Sequence, residues 1–246
     1  CTAAIMSLAA VSCSKDNTLR YNNATMGNIV DGRFVSDQGN IFNVVEQNYL
    51  GKLDTMKRAF IICDILNTTE GASNEYDVRL NYATKVLTKD PVILSENTDT
   101  TKTVNDPILL SDLWISGGYV NAIVTIPVKT NSSIQHMINF VVDDKAQKDS
   151  TYTFMFRHNA FGEVLASDSS KNKDMVLANG YVSFPISQII EEDEAEISIT
   201  WNSHRMTNVG YDLYETEILT RKGTWKRADF EHKPTSVKAS ASFRVR

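Results

Sequence analysis

The feature that most restricts this chain is an alternation of apolar and polar residues with period two. From Val120 to Val128 the apolar set is Val120, Ala122, Val124, Ile126 and Val128, with Asn121, Ile123 and Thr125 opposite. His136, Ile138, Phe140 and Val142 share one face of the next run. Tyr152, Phe154, Phe156 and His158 share a face of another, and Ile197, Ile199 and Trp201 of a third. Successive side chains of a strand point to opposite faces, so this spacing demands half-buried strands rather than the 3.6-residue repeat of a helix. Pro127 and Pro185 cannot donate to a ladder and are expected at edge positions or bulges. Ser187–Asp193 has room for one helical turn or two. Residues 106–220 therefore read as an antiparallel β-sandwich.

Shorter strand-like runs fill the first half: Thr25–Val30, Arg33–Ser36, Ile41–Gln47, Arg58–Leu66 and Tyr76–Leu87. Turn formers separate them, and Asp31-Gly32 between apolar positions is the sharpest hairpin signal in the chain. Short strands at such close spacing suggest a small closed barrel over residues 24–94, because closure removes exposed edges. The polar, Thr-rich segment 95–105 reads as a linker between two domains. The fold class is all-β.

At the start of the chain a small-residue apolar run, Thr2–Val11, ends at Ser12–Cys13 and gives way to a polar segment. Ala10-Val11-Ser12-Cys13 fits a lipobox. The run is too short to span a bilayer core of about 30 Å, so residues 1–12 read as a clipped signal peptide. Cys13 is the expected lipid carrier and residues 13–23 a polar tether, which makes the membrane a partner through the N-terminal lipid. With Cys1 in the leader and Cys13 lipidated, Cys63 is left alone inside FIICDIL, where a buried small hydrophobe is expected rather than a reactive thiol. A net charge of −5 argues against nucleic acid, which requires a basic footprint. Charge is uneven: Glu191–Glu194 and Glu196 form an acidic knot, and residues 221–246 read as a basic C-terminal tail. Both are expected to be solvated.

Three segments of the second half carry a resemblance. They are Gly117-Gly118-Tyr119-Val120-Asn121, His136-Met137-Ile138-Asn139-Phe140-Val141, and Phe156-Arg157-His158-Asn159-Ala160-Phe161-Gly162-Glu163. Behind a lipoprotein signal and a small barrel, they make the chain resemble the NigD-like lipoproteins of Bacteroides-type bacteria, roughly from Thr25 to Leu219. The resemblance implies an N-terminal OB-type barrel and a C-terminal β-sandwich. It also implies an exported protein anchored to the outer membrane, periplasmic or surface-exposed, with an immunity role suggested by gene neighbourhood. It carries over no catalytic or binding residues, and fold alone does not give function.

Two constellations could hold chemistry. His136 and His158, with Asp143, Asp144 or Glu163, could ligate zinc in a metal-assisted hydrolase. The competing reading makes both histidines core or edge residues bonded to backbone, since no HxH or HExxH spacing is present. Arg157, His158 and Asn159 could form a ligand loop for carboxylates or sugar hydroxyls. Against this, Asn159–Gly162 suits a hairpin turn. No GxSxG elbow or phosphate loop occurs. Phe34, Phe42, Tyr49 and Tyr76 are explained by packing. The sequence thus points to a non-catalytic binding module of the envelope, without cofactor, docking an envelope protein, a toxin or a glycan. A hydrolase and a purely structural component are the alternatives.

Overall fold

The computed structural model describes residues 22–143, 151–166, 169–207 and 210–229. The leader, Cys13, Asp144 and residues 230–246 lie outside them. Five strands form a closed barrel: β1 (Asn22–Val30), β2 (Arg33–Ser36), β3 (Ile41–Gln47), β4 (Arg58–Thr68) and β5 (Glu75–Lys85), in the order β1-β2-β3-β5-β4. β3 and β5 run parallel and the remaining pairs antiparallel. This is the expected OB-like barrel. Asp31 (φ 50°) and Gly32 (φ 76°) make the tight β1–β2 turn, in which both central residues need positive φ. Phe34, Phe42, Ile61, Val78 and Leu80 fill the barrel, together with Cys63. Burial pushes the Cys63 thiol up to about 12, as suits an inert core residue.

The sandwich adds β6 (Leu87–Thr88), β7 (Val92–Ile93), β8 (Leu109–Ser116), β9 (Tyr119–Lys129), β10 (Met137–Val142) and β11 (Thr151–Asn159). It is completed by β12 (Met175–Pro185), β13 (Glu194–Thr207) and β14 (Gly210–Lys226). A five-stranded sheet, β14-β13-β11-β10-β7, packs on a four-stranded one, β6-β12-β9-β8. Phe140, Phe154, Phe156 and Phe184 lie at the centre, with Phe140 and Phe184 rings 5.2 Å apart. Among the described residues there is no α-helix; the chain at Ser187 makes a single turn. Pro127 lies past Thr125, where pairing with β8 stops, and Pro185 ends β12, so both occupy edge-like positions.

Four sequence boundaries need correction. The barrel does not run to residue 94, because β6 pairs with β12 and β7 with β10, both in the sandwich. Segment 95–105 is not a free linker. It contains a 3-10 turn, Thr100–Lys102, and its carbonyls accept side-chain bonds from Asn139, Asn159 and Asn202. The tether ends sooner, since Asn22 and Asn23 already pair in β1. The basic tail does not start at residue 221. β14 continues to Lys226 and buries Trp225 in the sandwich core. There Arg227 donates to the carbonyls of Ile190 and Glu191, and Lys226 lies 3.3 Å from Glu194, so tail and acidic knot meet.

Candidate functional site

The two sequence-predicted histidines come together. His158, on β11, is 1% exposed; its Nδ1 is 2.9 Å from the Pro107 carbonyl and its Nε2 is 3.0 Å from His136 Nδ1. His136, just before β10, reaches Glu163 Oε2 with its Nε2 at 3.1 Å. Donor accounting fixes the protons. The Pro107 oxygen can only accept, so His158 carries its proton on Nδ1 and presents Nε2 as an acceptor. His136 must then donate from Nδ1, and one further proton must lie between its Nε2 and the carboxylate. Bonds from Ser132 and then His136 hold the Glu163 carboxyl below the usual range. Burial is the main cause that lowers His158 to about 4, so its ring stays neutral.

This chain of bonds is complete without a metal. Among the described residues no group of three or more His, Cys, Asp or Glu is arranged to hold one, and Asp143 does not join the histidines in such a group. Asn159 is buried too: its Nδ2 donates to the Thr101 carbonyl and its Oδ1 accepts from the Phe161 amide. Arg157, half-buried, donates from Nη1 to Asn105 Oδ1. The trio therefore ties segment 95–107 to β11. The hairpin expected at Asn159–Gly162 is not formed: the turn lies one residue later, Ala160–Glu163, closed by the Glu163 amide on the Ala160 carbonyl with Phe161 and Gly162 at positive φ, and the strand that follows joins the other sheet.

A second polar centre lies where barrel meets sandwich. Arg58, at the head of β4, is 1% exposed. Its Nη1 and Nη2 grip Asp37 at 2.7 and 2.6 Å, with further bonds from Nη1 to Asn28 and from Nη2 to Asn121. Nε donates to Ser183, and the guanidinium lies 4.1 Å from the Tyr119 ring centroid. Ser116 Oγ donates to Asp37 Oδ2 at 2.5 Å. A Cβ on Gly117 (φ 57°) would come within 2.5 Å of Asp37 Oδ1, so the β8–β9 turn needs glycine there for two reasons. Beside this knot Met26, Phe60 and Val86 pack with Trp114 and Tyr181.

The same junction opens into a groove of about 690 Å³. Its walls are lined by Tyr82, Thr84 and Lys85 of β5, Leu87 of β6, Ser111 of β8, Ile123 of β9, and Asn179, Gly180 and Tyr181 of β12. Tyr82 is 46% exposed, and Tyr181 stacks on Phe60 at 4.7 Å. Pairing skips Asn81 in β5 and Ser111 in β8, so a β-bulge sits beside the groove in each of these strands. Such bulges re-aim side chains and recur next to binding sites.

Residues 90–214 match the family model described as the NigD-like C-terminal beta sandwich domain. The chain belongs to the NigD-like family. No curated protein matches it. Among solved structures, a NigD-like immunity protein from Bacteroides caccae superposes with a TM-score of 0.54 at 16% identity, covering 80% of this chain and 89% of that one. A candidate toxin-related protein from Parabacteroides distasonis gives 0.57 at 16% identity, over 84% and 92% of the two chains. A candidate lipoprotein from Bacteroides fragilis gives 0.56 at 11% identity, over 84% and 98%. At these identities the likeness is one of fold.

In this NigD-like chain no sequence motif marked the groove, and of the Arg58 knot only Gly117, Tyr119 and Asn121 lie in a segment that carried the resemblance. Two weak signals exist. A lone arginine heads the apolar run RAFIICDIL, and Leu80 and Ala83, both core residues, are three apart where strand alternation requires two or four. That broken period marks the bulge that turns Tyr82 outward.

Proposed function

We propose that this NigD-like protein is a non-catalytic binding module, held at the outer membrane by lipid on Cys13 and presenting the junction groove to its partner from the periplasmic or surface side. The observation that carries the reading is the groove itself. It holds an exposed tyrosine and lies at the junction where the barrel's buried Arg58–Asp37 pair is bonded by Asn121 and Ser183 of the sandwich. The histidines that an enzyme would use are instead bonded to each other, to backbone and to Glu163. The Ala10–Cys13 lipobox supports the anchor, and a similar fold belongs to a protein described as a candidate lipoprotein. An immunity-like role, in which the partner is a toxin, follows by analogy with the fold neighbours described as immunity and toxin-related proteins.

The test has two arms. Cys13→Ala should release the protein from carbonate-washed membranes, because stable anchoring requires more than one acyl chain and all would be lost together. Wild-type protein and a Tyr82→Ala variant are then compared on solubilised native envelope. Material retained by the first and lost by the second supports the groove as the binding site; identical retention by both removes it.

A further inference from the structure

We infer that the junction groove recognises an oligosaccharide. This rests on the binding reading above and names its ligand class. The chemistry of the walls carries it. Tyr82 offers an exposed ring, and Tyr181 is braced by its stack on Phe60 at 10° between ring planes. Tyrosine presents an apolar face to the C–H faces of a sugar and a phenol to its hydroxyls, at low cost in conformational entropy. Thr84 and Ser111 add hydroxyls that can donate and accept. Asn179 accepts from Thr125 Oγ1 at 2.6 Å, which leaves its amide nitrogen as a donor. Mixed donors and acceptors beside aromatic rings match a polyol.

Charge and side-chain chemistry disfavour other occupants. Among the described residues Lys85 is the only charged one on the walls, too little for a nucleic-acid backbone. An extended peptide gains affinity by adding a strand to a free sheet edge. At the groove only β9 is paired on both sides, to β12 and β8; β5 has lost its β3 partner beyond Leu80 and β12 gains its β6 partner only at Val182, so each leaves one backbone edge open there. A peptide on such an edge is the rival that the retention comparison below distinguishes, and the hydroxyl, amide and aromatic side chains of the walls are what favour the sugar. The volume of about 690 Å³ lies within the usual range for small-ligand sites.

The experiment measures binding to full-length, detergent-solubilised protein by calorimetry. The probes are hexasaccharides of glucose, xylose, mannose and N-acetylglucosamine, with an oligogalacturonate to engage Lys85. At least one should bind. Its affinity should fall about tenfold or more in Tyr82→Ala, equivalent to about 1.4 kcal/mol, and stay unchanged in Val176→Thr, an exposed position away from the walls. Both variants change exposed side chains, and equal melting temperatures would exclude unfolding as the cause. No binding by any probe, or binding that Tyr82→Ala leaves intact, overturns the inference. The envelope-retention comparison then separates the two failures. Protease-sensitive material lost on Tyr82→Ala would keep the groove as a binding site and replace the sugar with a protein. No difference in retention would remove both readings.

Discussion

Two buried polar networks hold this molecule together, and they differ in what a proton can do to them. At the junction, Arg58 has a partner for each of its donor nitrogens and Asp37 for both of its oxygens. The planar guanidinium meets the carboxylate with two parallel bonds, so geometry as well as charge fixes this network. At the far end of the sandwich, the run from Pro107 through His158 and His136 to Glu163 depends on a buried His158 ring that stays neutral and accepts at Nε2. Burial is similar in both. The first network acts as a fixed weld between domains, and the second as a clasp whose strength depends on pH.

The largest effect should come from breaking the weld. Arg58→Ala or Asp37→Ala leaves the other charge buried without its partner, which costs about 3–5 kcal/mol. Arg58→Met combined with Asp37→Leu should cost clearly less than either single change, because no uncompensated charge remains. Urea unfolding midpoints measure all three. A single variant within about 1 kcal/mol of wild type would show that the knot does not weld the domains.

Acid should act on the clasp next. His158 is held at about 4 against an ordinary 6.5, by burial first and then by the neighbouring His136 and His204, with the Pro107 carbonyl and Asp106 opposing. A depressed value means the unfolded chain takes up the proton first. The stability it contributes is therefore full above about pH 6.5, declines as pH falls, and is gone below about 4. The gap corresponds to roughly 3 kcal/mol. Glu163, lowered by Ser132 and His136, adds loss in the same direction at the acid end. His158→Gln should flatten the stability curve between pH 6.5 and 4 relative to wild type; parallel curves would mean that His158 does not titrate as the clasp requires.

A third change tests whether the clasp is structural or a latent metal site. His136→Ala should cost about 1–3 kcal/mol through lost bonds and packing. Zinc should leave the wild-type melting temperature unchanged. A tight site would add about 2.7 kcal/mol at 100 times its dissociation constant. A zinc-dependent rise abolished by His136→Ala would revive the hydrolase.

What the sequence made legible follows the same division. Period-two runs located β9, β10, β11 and β13 but not β8, β12 or β14, and Asp31-Gly32 located a turn that demands positive φ. β6 and β7 escaped because two residues cannot establish a period. The end of β14 escaped because it is an edge strand, where outward charges such as Arg221 and Lys222 discourage further pairing and hide the buried Trp225. His136 and His158 could be suspected since both lie in marked segments. Of the weld only Gly117, Tyr119 and Asn121 lie in a marked segment, and its centre stayed hidden because Arg58 draws on Asp37 and on Ser183, positions 21 and 125 residues away.

The smallest effect isolates burial as the cause of the largest. Arg79 and Glu46 repeat the guanidinium–carboxylate pairing of the weld inside the same barrel, joining β5 to β3 at 2.7 Å. Their side chains are 28% and 53% exposed, against 1% and 2% for Arg58 and Asp37. Water screens the attraction in the exposed pair and solvates whichever partner is left behind, and Arg79 keeps a second carboxylate, Asp64, at 3.7 Å. Glu46→Gln should therefore cost only about 0.2–1 kcal/mol, and added salt should shrink the difference further. The penalty for Asp37→Ala should hold at the same salt concentration, since little solvent reaches that pair. If the two substitutions cost the same, or respond alike to salt, desolvation is not what makes the weld strong.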